Sequence, residues 1–143
     1  MMKIHFHLEQ DEEDYPPVST ESLWAIPDPK TGEYVIDNIP FFASKATLGD
    51  TVTAAEEDGL LWFDALVHRS SNSLLRAVFF VEAHMERVSQ HLAALGCSVE
   101  YMKTYKLLAI NVPGNVELTS IQDYLGGEAV AGNLDYEEPI LRQ

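Results

Sequence analysis

Hydrophobic and polar positions alternate along the first residues of the chain. In segment 3–8 the apolar side chains are Ile4, Phe6 and Leu8, with a histidine on either side of Phe6. This period of two is typical of a strand that buries one face. Further short apolar runs, separated by Gly, Pro and acidic residues, lie at 21–26, 33–37, 51–55 and 60–67. Closely spaced short strands of this kind predict a β-rich lobe over residues 1–70, folded as a small barrel or a strongly bent sheet.

The pattern changes after residue 70. An apolar run at 74–80 predicts a central strand, and apolar residues then recur at helical spacing from Val81 to Leu95, before a glycine suited to a helix end. The remaining expected elements are two strands, a short helix closed by Gly126-Gly127 and a final strand, at 98–103, 107–112, 118–125 and 129–136. The order β-α-β-β-α-β is that of a ferredoxin-like unit. We therefore predict an α+β protein with a β-barrel-like lobe at 1–70 and a ferredoxin-like lobe at 71–143.

Acidic residues greatly outnumber basic ones. The chain has 23 Asp and Glu against 9 Lys and Arg, for a net charge of −14. Residues 1–70 contain 14 of the acids and 4 of the bases, so most of the excess lies there. Such a field repels phosphate backbones, which makes direct binding of nucleic acid unexpected, and it speeds association with a basic protein. Simple solubility is the alternative explanation of the same charge.

Two acidic runs stand out within the predicted β-rich lobe. Each lies between predicted strands and is expected in a solvent-exposed turn. We predict that these runs contact a partner protein through Glu9, Asp11, Glu12, Glu13, Asp14, Glu56, Glu57 and Asp58.

Side chains with catalytic or metal-binding potential are scattered. His5 and His7 lie two residues apart on one predicted strand face and could share a metal ion, but no further ligand has suitable spacing. The serines around Ser71 lie close to His68 without the Gly-x-Ser-x-Gly turn of a hydrolase, so turn formation explains them better. We therefore predict no catalytic residue, no metal and no cofactor.

The chain shows no sign of a membrane or secretory segment. No apolar run approaches the roughly 20 residues that cross a bilayer, and the first residues lack the apolar region of a secretory signal. The single cysteine, Cys97, fits a reducing compartment. These features predict a cytoplasmic protein that does not act at a membrane.

Four short segments form a recognisable series. They are Leu23-Trp24-Ala25, Asp37-Asn38-Ile39-Pro40-Phe41-Phe42, Gly49-Asp50-Thr51-Val52 and Ser71-Asn72-Ser73-Leu74-Leu75-Arg76. In these segments the chain resembles a family of small bacterial proteins known as a domain of unknown function, from about Lys3 to Tyr136. The Ser71-Asn72 pair departs from the Gly or His more usual in that family. The family has no established activity, so the resemblance implies a stand-alone protein but no catalytic residue.

The leading functional hypothesis is an immunity protein or antitoxin-like inhibitor, which blocks the basic active site of a bacterial toxin with acidic side chains. It rests on the charge and on the frequency of this role among small acidic bacterial proteins. One alternative is a small-molecule-binding sensor or regulatory domain, and another is a metal-dependent enzyme that uses His5 and His7. The sequence leaves the oligomeric state open.

Overall fold

Five strands at the start of the chain close into a barrel. The computed structural model describes residues 1–143, and its backbone contacts divide the chain into two units, Met1–Ser70 and Ser71–Gln143. We call the first the barrel unit and the second the helical unit. The barrel strands are β1 (Met2–His7), β2 (Thr20–Pro27), β3 (Tyr34–Ile36), β4 (Thr51–Glu57) and β5 (Leu60–His68).

The register of β1 confirms the predicted alternation. Ile4 and Phe6 are buried in the barrel, while His5 and His7 lie on the opposite face of the strand. Strands that follow one another along the chain pair antiparallel, and β1 closes the barrel by pairing in parallel with β5. A five-stranded meander closes in this way because its first and fifth strands run in the same direction. The buried side chains of the barrel core are Ile4, Phe6, Leu23, Ala25, Ile36, Ala43, Ala46 and Val52.

The second acidic run forms the tight hairpin between β4 and β5. Glu57 pairs with Leu60, so the turn contains two residues, Asp58 and Gly59. Both have positive φ, 53° and 80°, which is the backbone of the hairpin turn that best matches the twist of the strands. Asp-Gly is a favoured sequence for this turn because aspartate tolerates the left-handed region and glycine has no Cβ.

The helical unit alternates strands and helices around one four-stranded sheet. Its elements are β6 (Ser73–Phe79), α1 (His84–Ala94), β7 (Ser98–Met102), a 3₁₀ turn (Lys103–Tyr105), β8 (Leu107–Val112), α2 (Leu118–Val130) and β9 (Leu134–Ile140). The strand order in the sheet is β7-β8-β6-β9, and every pair is antiparallel. The expected mixed α+β composition is therefore confirmed. Neither helix is long and apolar enough to cross a membrane.

Each helix buries one apolar stripe in the core of this unit. The stripe of α1 consists of Met85, Val88 and Leu92, and that of α2 of Leu118, Ile121 and Leu125. Spacings of three and four residues place such side chains on one face of a helix. They join one cluster with side chains of the sheet, which include Leu75, Ala77, Leu108 and Ile110.

Several boundaries differ from the predicted ones. The first helix begins at His84 rather than Val81, and the second continues through Gly126-Gly127 to Val130. Two glycines cost about 1 kcal/mol each in a helix, and burial of Leu118, Ile121 and Leu125 in the turns before them offsets this cost. The second helix instead ends where Gly132 has a φ of 81°, so the last strand covers 134–140 and not 129–136.

Candidate functional site

The acidic loop, residues 9–14, follows β1 and has a defined shape. The Asp11 carboxylate accepts hydrogen bonds from the backbone N–H groups of Glu13 and Tyr15, both at 2.9 Å. The backbone N–H of Asp11 donates to the Tyr15 carbonyl at 2.7 Å, and the Gln10 side-chain amide donates to the Pro16 carbonyl at 3.0 Å. Asp11 therefore organises the loop, while the other acidic residues of the loop extend into solvent around it.

A pocket of about 280 Å³ lies beside this loop at the end of β1. Its lining residues are Phe6, His7, Leu8, Glu9, Pro16, Phe42, Ala43, Ser44 and Lys45. Apolar side chains and Pro16 form much of the wall, and His7, Glu9 and Lys45 bring ionisable groups to it. The Tyr15 ring meets the Phe42 ring edge-on, with centroids 6.3 Å apart. The acidic loop and the pocket are thus adjacent parts of one surface, which we call the pocket end of the barrel.

Glu21 holds one wall of this pocket in place. Its carboxylate accepts three backbone hydrogen bonds, from the N–H groups of Phe41 at 2.8 Å, Phe42 at 3.1 Å and Ala43 at 2.7 Å. The Asn38 side-chain oxygen accepts a further bond from the backbone N–H of Trp24 at 2.6 Å. Hydrogen bonds to a charged acceptor are stronger than neutral ones. The Asp37–Phe42 motif therefore has a structural role, because it positions the aromatic wall of the pocket.

Asp50, from the Gly49–Val52 motif, organises the far end of the segment that connects β3 to β4. Its side chain is fully buried, and its carboxylate accepts hydrogen bonds from the backbone N–H groups of Thr47 at 3.0 Å and Ser70 at 2.8 Å. The Ser70 hydroxyl donates to the Leu48 carbonyl at 2.9 Å. The interpretation of this serine as a turn residue agrees with these bonds.

The structure does not bring the two predicted acidic segments together. Ile4 pairs with Leu61 in the parallel β1–β5 pair, so the hairpin at 56–59 lies at the start of β1 and the acidic loop lies past its end. Glu9 is five residues beyond Ile4, which corresponds to roughly 16 Å along a strand at about 3.3 Å per residue. The eight acidic residues therefore form two separate surfaces at opposite ends of the barrel.

His5 and His7 pack against an aromatic residue of the neighbouring strand. The His7 ring stacks on Trp62 with centroids 4.0 Å apart and planes within 6°, and the His5 ring lies 5.4 Å from the same indole. Lys3 lies over the Trp24 ring at 4.9 Å on the same strand face. No group of three or more His, Cys, Asp or Glu side chains is placed to hold a metal ion. The structure therefore places no third metal ligand beside His5 and His7.

An ion-pair network in the helical unit was not predicted from the sequence. Arg87 of α1 forms two hydrogen bonds with the Glu128 carboxylate of α2, one of them 3.1 Å long, and the Asn133 side chain donates to Glu128 at 2.7 Å. The Arg87 hydrogen bond lowers the pKa of Glu128 from 4.5 to about 2. Burial, reinforced by the Glu128 charge, raises the pKa of Tyr124, and His91 stacks on its ring at 4.0 Å. These residues connect the two helices. Arg87 and Glu128 are 41 positions apart in the sequence, so no local pattern indicates their pairing.

Cys97 is a buried free thiol. Burial raises its pKa to about 11, so the thiol stays protonated at neutral pH and is a poor nucleophile.

The fold and this surface define a mixed α+β protein in which a closed barrel presents a small pocket next to an ordered acidic loop. Such an arrangement suits recognition of another molecule, because the charge and the cavity are both already in place. The family model described as Domain of unknown function (DUF4265) matches residues 21–136, and the chain belongs to this family. The predicted resemblance is thereby confirmed, although the acidic loop precedes the matched range.

One solved structure shares the fold over nearly the whole chain. It is described as a novel crystal structure of a hypothetical protein from Neisseria gonorrhoeae, and it superposes with a TM-score of 0.77. The two sequences are 24% identical over 99% of this chain and 96% of that one. This likeness shows a common fold. No protein with a curated description matches the chain.

Proposed function

We propose that the protein is a non-catalytic binding protein that docks a basic protein on the pocket end of its barrel. In the specific form of this proposal it is an immunity protein or antitoxin-like inhibitor, which blocks the cationic active site of a toxin. The observation that supports it most is the acidic loop, whose shape is set by Asp11 and which borders a preformed pocket. A toxin that binds phosphate-containing substrates has a basic active site, and an ordered set of carboxylates is complementary to such a site.

Electrostatic complementarity and preorganisation would act on different steps of binding. The exposed carboxylates of Glu9, Glu12, Glu13 and Asp14 add to the excess negative charge of residues 1–70 and steer a cationic partner toward this surface. Because the loop is already closed by backbone and side-chain hydrogen bonds, less conformational entropy is lost when it docks. The adjacent pocket offers an apolar recess for one anchoring side chain of the partner.

Two further assignments accompany this proposal. We propose that the helical unit is ferredoxin-like, which is supported by its strand and helix order β-α-β-β-α-β and by the antiparallel order β7-β8-β6-β9. We also propose a cytoplasmic location, which is supported by the free thiol of Cys97.

The separation of the two acidic segments provides a matched test. The probe is the product of a toxin-like reading frame adjacent to this gene, and the measurement is its association rate with the purified protein at low and high salt. Glu12→Lys with Glu13→Lys should slow association by roughly tenfold at low salt, and the difference should shrink at high salt. Glu56→Lys with Glu57→Lys changes the net charge by the same amount at the other end of the barrel, and its association should stay within about twofold of wild type.

The association rates of the two double variants and of the wild-type protein distinguish three contrary outcomes. An equal loss of rate in both double variants would show that net charge alone drives association, and the proposed surface would be wrong. An unchanged rate in both would exclude electrostatic docking on either acidic segment. The absence of any complex between the wild-type protein and the toxin candidate would refute the inhibitor proposal for that pair.

A further inference from the structure

A second cavity, of about 690 Å³, lies in the helical unit between the first half of α1 and the end of β7. Its walls include Glu82, Met85, Glu86, Ser89, Tyr101 and Lys103. A volume of several hundred Å³ is typical of sites for small molecules. This cavity belongs to a different unit from the acidic loop, so its role is independent of the proposed protein docking.

The charges of this cavity lie on opposite walls. Glu82 and Glu86 belong to the α1 side, whereas Lys103 begins the 3₁₀ turn that follows β7. A phosphate or a dicarboxylate would be repelled by the two acids, and a polyamine would be repelled by the lysine. A ligand with one cationic and one anionic group matches both walls.

Two other features narrow the ligand class. Tyr101 of β7 is 56% exposed and Met85 of α1 is buried, so the cavity offers apolar surface as well as charge.

We infer that this cavity binds a free α-amino acid with an apolar or aromatic side chain. The ligand's ammonium group faces Glu82 and Glu86, and its carboxylate faces Lys103. Its side chain lies against Tyr101 and Met85. The Gln90 side chain, which donates to Glu86 at 3.3 Å, keeps that carboxylate on the cavity wall.

Three matched probes test this inference by ¹H–¹⁵N NMR titration of the whole protein. Phenylalanine has both charged groups, 2-phenylethylamine lacks the carboxylate, and 3-phenylpropanoate lacks the ammonium. Phenylalanine should shift the amide resonances of residues 82–90 and 101–103, and each of the other two probes should bind about tenfold more weakly, as expected for the loss of one charge-assisted hydrogen bond. Lys103→Met should weaken phenylalanine binding by a similar factor and leave binding of the amine unchanged.

The matched control for the lysine variant is Lys30→Met, which removes an exposed lysine from a turn of the barrel unit. It should bind phenylalanine as the wild type does. Equal affinity for all three probes, shifts outside residues 82–90 and 101–103, or no saturable shift with phenylalanine would overturn the inference. Because the titration involves no protein partner, these results are independent of the toxin experiment.

Discussion

Replacing Glu21 with alanine should destabilise the barrel unit by about 3 kcal/mol. Its carboxylate accepts three backbone hydrogen bonds, from Phe41, Phe42 and Ala43. A hydrogen bond to a charged group contributes about 1.5–3 kcal/mol, so three such bonds set an upper range of roughly 5–9 kcal/mol. The three N–H groups are only partly buried. Water can therefore replace part of the lost bonding, and we expect a value below that range.

The positions of the chromophores make the effect measurable in this unit. Trp24 and Trp62 are the two tryptophans of the chain, and both belong to the barrel unit. Urea unfolding followed by tryptophan fluorescence therefore reports on the barrel, whereas the helical circular dichroism signal comes from α1 and α2. Glu21→Ala should lower the fluorescence midpoint.

Two control variants separate the hydrogen bonds from the charge. Glu21→Gln keeps an amide oxygen that can accept two of the three bonds, so it should cost about 1 kcal/mol. Glu56→Ala removes a carboxylate from the exposed end of β4 and should stay within about 0.5 kcal/mol of wild type. A Glu21→Ala protein that unfolds at the wild-type midpoint, or a Glu21→Gln protein as unstable as the alanine variant, would refute this reasoning.

Two further predictions concern the helical unit and are followed by helical circular dichroism. The pKa of Glu128 is lowered from 4.5 to about 2, chiefly by its hydrogen bond from Arg87. The Arg87–Glu128 pair therefore stabilises the fold above pH 4.5, and this stabilisation is lost as the pH falls toward 2. Arg87→Met should reduce the decrease in the free energy of unfolding between these two pH values. An Arg87→Met variant that loses as much stability as the wild type between pH 4.5 and pH 2 would contradict this role. Gly96→Ala should destabilise by about 1–3 kcal/mol, because Gly96 has a φ of 102° and an added Cβ would lie 2.8 Å from the Val116 side chain. Gly126→Ala, which meets no atom within 4 Å inside α2, should instead stabilise by about 0.5–1 kcal/mol; the same sign for both variants would rule out the conformational explanation.

Local pattern was sufficient for the order of the elements and for the buried face of β1. The alternation around Phe6 placed β1 correctly, and the Asp58-Gly59 pair marked the β4–β5 turn. These features depend on neighbours within a few residues, which one sequence displays directly. The Gly126-Gly127 pair was misleading for the same reason, because the local cost of glycine is visible in the sequence and the packing that offsets it is not.

The composition of the site depended on contacts between distant positions. Glu21 meets residues about twenty positions later in the chain, and the cavity near Lys103 takes its acidic residues from α1 and the segment just before it. No spacing rule in the sequence predicts such pairs, because loop closure can bring together residues at almost any separation at a similar entropic cost.

The sequence by itself determined that this protein is acidic, that it has an α+β composition, and which face of β1 is buried. The tertiary structure decided how the acidic charge is arranged. Because β1 pairs in parallel with β5, the acidic loop and the 56–58 hairpin lie at opposite ends of the barrel. The first and fifth strands run in the same direction because consecutive strands alternate, and their pairing depends on backbone hydrogen bonds between strands far apart in the sequence rather than on any local pattern. For this reason only the acidic loop borders the pocket, and we propose that loop alone as the docking surface.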